Sequence, residues 1–316
     1  MSYTGPGFEP PQPRRSRRGP LTVALAALVP GALLGWAVYA AAGGSGDDEA
    51  AGTPTASASA SASPRTSSAA PAASAGDGKP TGSSTAKPPA ASGALEGKVV
   101  VIDPGHNPTN FEHTAEINRQ VDIGTNRKEC DTTGTSTNDG YAEAEFTLDV
   151  AHRMRALLEK QGATVKLTQD EDRPFGPCVD ERARIGNKAG ADAVVSIHAD
   201  GSGTGNRGFH VILPGAVDAG GADTRAIVEP SADLGARIAG DFVRVTGSAP
   251  SNYIGGGTGL VTRKDLGGLN LSTVPKVFIE CGNMRDSKDA ALLTSGAWRQ
   301  KAAQGISDGI VSFLRG

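Results

Sequence analysis

From Gly44 to Ala94 the chain contains not one Val, Ile, Leu, Met, Phe, Trp or Tyr. Fixing a residue's backbone costs about 1–2 kcal/mol, and a segment without large apolar side chains has nothing to bury in return. Residues 44–95 are therefore expected to be a disordered Ala/Ser/Pro/Thr/Gly linker with an r.m.s. reach on the order of 40 Å. Nearly all the apolar residues that could build a water-soluble core follow it, so one folded domain of ordinary size is expected over residues 96–316.

The N-terminal part sets the expected compartment. Arg14, Arg15, Arg17 and Arg18 lie in a basic segment, residues 1–20, expected to be cytoplasmic. The uncharged run from Leu21 to Ala42 follows, and Asp47, Asp48 and Glu49 come after it. That charge order places the N-terminus inside and everything downstream outside the membrane. The run can cross a bilayer, so residues 21–43 are expected to act as a signal anchor, giving a single-pass membrane protein. Ala40 and Ala42 also form an A-x-A site before Gly43, and secretion to the cell wall after signal cleavage is the alternative.

A net charge of −3 lacks the basic face that nucleic-acid binding needs. Three cysteines with no C-x-x-C pair exclude a thiolate zinc knuckle and a thioredoxin-type site. In an extracytoplasmic domain, Cys130 and Cys178 fall in polar, turn-rich stretches and are expected to pair. Cys281, inside an apolar run, is expected to be free.

In the folded part, Lys98-Val-Val-Val-Ile-Asp103 is a continuous apolar run stopped by Pro104-Gly105, as in a strand buried on both faces. Helical spacing of Phe146, Val150, Met154, Leu157 and Leu158 predicts a helix over residues 143–161, stopped by Gly162. Further strands are expected at residues 163–168, 191–198, 209–213, 259–263 and 274–280. Helices are expected at 180–188, with Asp180 as its cap, and at 231–245 and 296–314. Such alternation predicts a single α/β domain: a mostly parallel, twisted sheet with helices on both faces.

Three polar residues stand where buried strands end: His106 past the first, His198 at the close of a central one, and Glu280 at the close of a later one. In open α/β sheets the ligand crevice lies outside the carboxyl ends of the strands, so all three point to one place. At about 100° per residue, Glu143 sits in the middle of its helix's apolar stripe, whereas Glu145 and His152 fall on the solvent face. A carboxylate aimed inward is costly unless paired or bound to metal. Two histidines and a carboxylate form a donor set suited to a catalytic zinc ion, with Glu280 left as general base. The blander alternative has His106 capping a turn, His198 satisfied in the core and Glu143 paired with an arginine such as Arg182. The Gly203–Gly208 stretch fits G-x-G-x-x-G but precedes a strand, so it reads as a loop. His113 and His210 are read as structural, and Arg263 and Asn283, near strand ends, as solvated residues, with contact to substrate as the alternative.

Val101-Ile-Asp-Pro-Gly-His106, the Glu143 helix, Leu167-Thr168, Glu181-Arg-Ala-Arg-Ile-Gly-Asn187, Val195-Ser-Ile-His198 and Val277-Phe-Ile-Glu-Cys-Gly-Asn283 occur in an order that resembles the zinc-dependent N-acetylmuramoyl-L-alanine amidases. The resemblance implies His106, Glu143 and His198 as zinc ligands and Glu280 as the catalytic glutamate. It also implies a peptidoglycan or muropeptide substrate, cut between N-acetylmuramic acid and L-alanine; the enzyme is expected to be a monomer, and its N-terminal segment is expected to tether it to the membrane. Where the family has Gly-Gly after the first histidine, this chain has Asn107-Pro108, a departure that bears on substrate preference. The alternative is an amidase-like module that has kept wall binding or regulation and lost catalysis.

Overall fold

The structure, a computed structural model, describes residues 93–316. The expected basic segment, signal anchor and nearly all of the linker lie outside the described residues. No helix among the described residues is long and apolar enough to cross a membrane. The described part already includes Leu95, which is fully buried in the main core and donates its N–H to the carbonyl of Gln161.

Six strands form the main sheet: β1 (Val99–Pro104), β2 (Thr164–Leu167), β3 (Ala193–Asp200), β4 (His210–Pro214), β5 (Leu260–Arg263) and β6 (Lys276–Asn283). Their order is β2-β1-β3-β6-β4-β5, parallel throughout except where β4 runs against β6. The expected, mostly parallel α/β domain is what is observed. Alternate residues of the central strands feed opposite faces: Val100, Ile102, Val195 and Ile197 join the main core, while Val101 and Val194 join a smaller cluster. That alternation is why these strands read as unbroken apolar runs.

Helices α1 (Glu143–Lys160), α3 (Val228–Thr246) and α5 (Gly296–Arg315) supply the first core, through Phe146, Met154, Ile238, Phe242, Ile306 and Ile310 among others. Helix α2 (Val179–Ala189) covers the other face, with Ile185 and Ala189 packed against Val101 and Val194. A short helix α4 (Ser287–Leu293) follows β6, capped by Asp286, whose carboxylate accepts from the N–H groups of Lys288 and Asp289.

Three local expectations need correction. Asp180 does not cap α2; Cys178 holds that position without a side-chain bond, and Asp180 pairs with Arg184 one turn on. Asn283 is fully buried rather than solvated, and its amide donates to the carbonyls of Ser202, Gly203 and Asn206. Strands β3 and β6 run past His198 and Glu280, to Asp200 and Asn283. Apolar patterning marks only the buried part of a strand, while the backbone ladder continues beneath polar side chains.

Candidate active site

Parallel registry places Glu280 of β6 directly beside His198 of β3, so both side chains leave the same face. Between Glu280 and Asn283 the register shifts, an irregularity of the kind that re-aims side chains near active sites. His106 follows β1 through Pro104-Gly105 and takes a left-handed backbone, φ 63°. Only glycine suits position 105: a Cβ there would lie 2.3 Å from Cε1 of His198. Thr147 of α1 ties this turn down by donating to the carbonyl of Gly105 at 2.7 Å.

Glu143 is the first residue of α1 and is buried, as its place on the apolar stripe requires. Its Oε1 lies 3.2 Å from Nε2 of His106 and 3.0 Å from Nδ1 of His198. Donor atoms of His106, Glu143 and His198 all fall within 4.8 Å of one another. A tetrahedral ion with ligands at about 2.1 Å separates them by about 3.4 Å, so the trio fits a zinc ion. Glu145 is exposed, and His152 bonds Asp170 on the surface.

The second oxygen of Glu143 accepts from the N–H of Thr135 at 2.9 Å, and its first also accepts from Ala199 at 3.2 Å. Burial opposes the ionised carboxyl, but the facing His106 and His198 outweigh it and hold the Glu143 pKa far below the usual carboxylate range. Burial likewise opposes charging His106; the carboxylates of Glu143 and Asp131 outweigh it and push that imidazole well up. The His198 ring stacks on Phe278, centroids 5.2 Å apart. Arg182 does not pair with Glu143; it binds Asp103 and Asp131.

Glu280 lines the same cleft, which encloses about 320 Å³ with Arg263, Ile212, Leu266 and Phe278 among its walls. Its Oε2 is buried and has no hydrogen-bond partner. Burial, with the neighbouring carboxylates of Glu143 and Asp200, raises its pKa well above the ordinary value. A carboxyl in this environment holds a proton more readily than a solvated one, and a cation beside it favours its release. Of the other candidates, Arg263 lines the cleft, His113 stacks on Phe175, and His210 is buried behind Tyr253.

Several residues around the site were not singled out from the sequence. Asp103, Asp131, Ser196 and Lys276 are buried polar groups set in or beside the site. The available signal was a charged or hydroxyl residue inside an otherwise apolar strand, as in Val-Val-Ile-Asp103 and Val-Val-Ser196-Ile. The expected Cys130–Cys178 disulfide is present and Cys281 is free and buried.

This is an α/β fold that gathers two imidazoles and a carboxylate beside its strand ends, a donor set able to hold a metal ion, next to a second carboxyl with one buried, unpartnered oxygen. Residues 100–312 match the family model for N-acetylmuramoyl-L-alanine amidase. The N-acetylmuramoyl-L-alanine amidase Rv3717 of Mycobacterium tuberculosis is 42% identical over 225 residues, 70% of this chain and 88% of its own. The crystal structure of the amidase Ami1 from Mycobacterium smegmatis is similar with a TM-score of 0.64 at 40% identity, over 70% of this chain and 98% of that one. The apo form of Ami1 from Mycobacterium abscessus gives the same TM-score and identity, over 70% of this chain and 100% of its own. The chain belongs to the N-acetylmuramoyl-L-alanine amidase family.

Proposed function

We infer that this amidase is zinc-dependent and hydrolyses the amide between N-acetylmuramic acid and L-alanine in peptidoglycan. In this reading His106, Glu143 and His198 hold the ion and Glu280 is the general base. The observation that carries it is Glu280 Oε2, a buried carboxylate oxygen left without a partner in the cleft where the three donors converge. When bound, zinc supplies Lewis acidity, polarising a carbonyl and making water a better nucleophile. Glu280 accepts the proton of the attacking water and returns it to the nitrogen of the departing alanine. Phe278, Ile212 and Leu266 give the cleft an apolar wall beside that transfer.

The domain works outside the cytoplasmic membrane, held there by residues 21–43 as an anchor or released by cleavage after Ala42. The Cys130–Cys178 disulfide supports an oxidising compartment. The test is to incubate the purified chain with muropeptides and weigh the products, alongside a measurement of bound zinc. The expected result is one zinc per chain and a free stem peptide that begins with L-alanine. His198→Ala should lose both the metal and the activity. A protein that retains wall fragments but never releases a stem peptide is a binding module and overturns the reading.

A further inference from the structure

Asp103 is completely buried, and so is its partner Lys276, whose Nζ lies 2.9 Å from Oδ2. On its other oxygen sits the buried Arg182, with NH1 at 2.8 Å from Oδ1. A carboxyl held between two cations is ionised, and an ionised carboxylate only accepts hydrogen bonds. Ser196 Oγ lies 2.9 Å from Asp103 Oδ2, so its single proton is committed there. Toward His198 Nε2, 3.2 Å away, the same hydroxyl can then only accept. His198 must therefore carry its proton on Nε2. That leaves Nδ1, the nitrogen 3.0 Å from Glu143 Oε1, with a free lone pair.

The second arm reaches the other imidazole. Arg182 NH2 holds Asp131 Oδ2 at 2.9 Å, and the other oxygen of Asp131 lies 3.5 Å from His106 Nδ1. The carbonyl of Thr132 is 3.1 Å from the same nitrogen. Both can only accept, and the Thr132 hydroxyl, 3.2 Å from the same nitrogen, can accept as well, so with the ion in place His106 keeps its proton on Nδ1 and presents Nε2, 3.2 Å from Glu143 Oε1. Arg182 also donates to the carbonyls of Pro104 and His106, at 2.6 and 2.8 Å, fixing the turn that aims the ring.

We propose that Asp103 and Ser196, with Arg182 and Asp131 on the second arm, are positioning residues that lock the two imidazoles in opposite tautomers, His198 coordinating through Nδ1 and His106 through Nε2. The inference rests on the zinc reading above. It explains why so much charge is buried beneath the cleft: a neutral imidazole has one lone pair, and without a fixed proton direction that pair faces the ion only part of the time.

The full-length chain, labelled with ¹⁵N at histidine, tests this by two measurements. The first is the zinc dissociation constant of wild type and Ser196→Ala by competition with a chelating dye. Loss of the outer partner should weaken binding by about tenfold or more. The second is the imidazole ¹⁵N spectrum of the zinc-loaded wild type, which needs no variant. Of the five histidines, the two whose signals shift on zinc loading should be one ring protonated at Nε2 and one at Nδ1, with the Nε2–H signal of that pair alone lost to exchange in Ser196→Ala. Two zinc-bound rings of the same tautomer, or a Ser196→Ala protein that binds zinc within twofold of wild type, overturn the proposal. A wild type that takes up no zinc overturns the metal reading and the relay with it.

Discussion

Glu280 is defined by its surroundings. Burial and the nearby Glu143 and Asp200 carboxylates disfavour its charged form, and Oε2 has no donor to compensate. Glu280→Gln keeps the shape and removes the basic site. It should retain zinc and peptidoglycan binding while turnover falls on the order of 10²–10⁴-fold, the usual contribution of a positioned acid–base group. Steady-state release of stem peptide, with zinc content measured on the same sample, checks this. An undiminished rate would remove Glu280 from the mechanism. Glu143 differs although it is the same residue type: it accepts from two backbone N–H groups and faces two imidazoles, so its oxygens are all engaged.

Between elements, α3 and α5 pack with backbone close to backbone. A Cβ added at Gly309 of α5 would lie 2.5 Å from Cα of Ile238 on α3. Alanine is intrinsically better than glycine in a helix by about 1 kcal/mol, but here it must push backbone from backbone, an overpacking cost of about 1–3 kcal/mol. Gly309→Ala is therefore expected to lower the melting temperature, whereas the propensity gain alone would raise it. The disulfide acts on a different pair of segments, joining the loop after His106 to the entry of α2 across a separation of 48 residues. Loop-closure entropy assigns it about 4 kcal/mol. Reduction should lower the denaturant midpoint and loosen the segment that carries Asp131 and Thr135. Thiol labelling of the unfolded, unreduced chain should find one reactive cysteine, Cys281; finding three would exclude the bridge.

For the molecule as a whole, buried charge sets the acid limit. Burial opposes ionisation of Asp131, yet Arg182 and His106 prevail and bring its pKa from 3.8 down to about 2. Asp103, between Lys276 and Arg182, is lowered further still against the same burial penalty. A carboxyl depressed in the folded state stabilises it fully above the unfolded pKa, and that stability is lost as the pH falls through the folded one. For Asp131 the window runs from about pH 4 to about pH 2 and is worth about 2 kcal/mol. Urea denaturation midpoints should fall steeply below pH 4; an Asp131→Asn variant should show a shallower fall over that window. The same network marks how far the sequence could be read. Apolar runs and a 3.6-residue stripe revealed β1, β3, α1 and the inward Glu143, because burial selects side-chain chemistry position by position. His106, His198 and Glu280 were legible because strand ends in an alternating α/β chain converge on one edge. The β4–β6 antiparallel pairing, the register shift after Glu280, and the Lys276–Asp103–Arg182–Asp131 chain were not. Each depends on residues distant along the chain, Lys276 and Asp103 being 173 positions apart, and no local pattern encodes which buried charge will meet which. Composition and periodicity settled where a core could form and which side chains enter it; partners, proton directions and distances followed only once the strands were laid side by side.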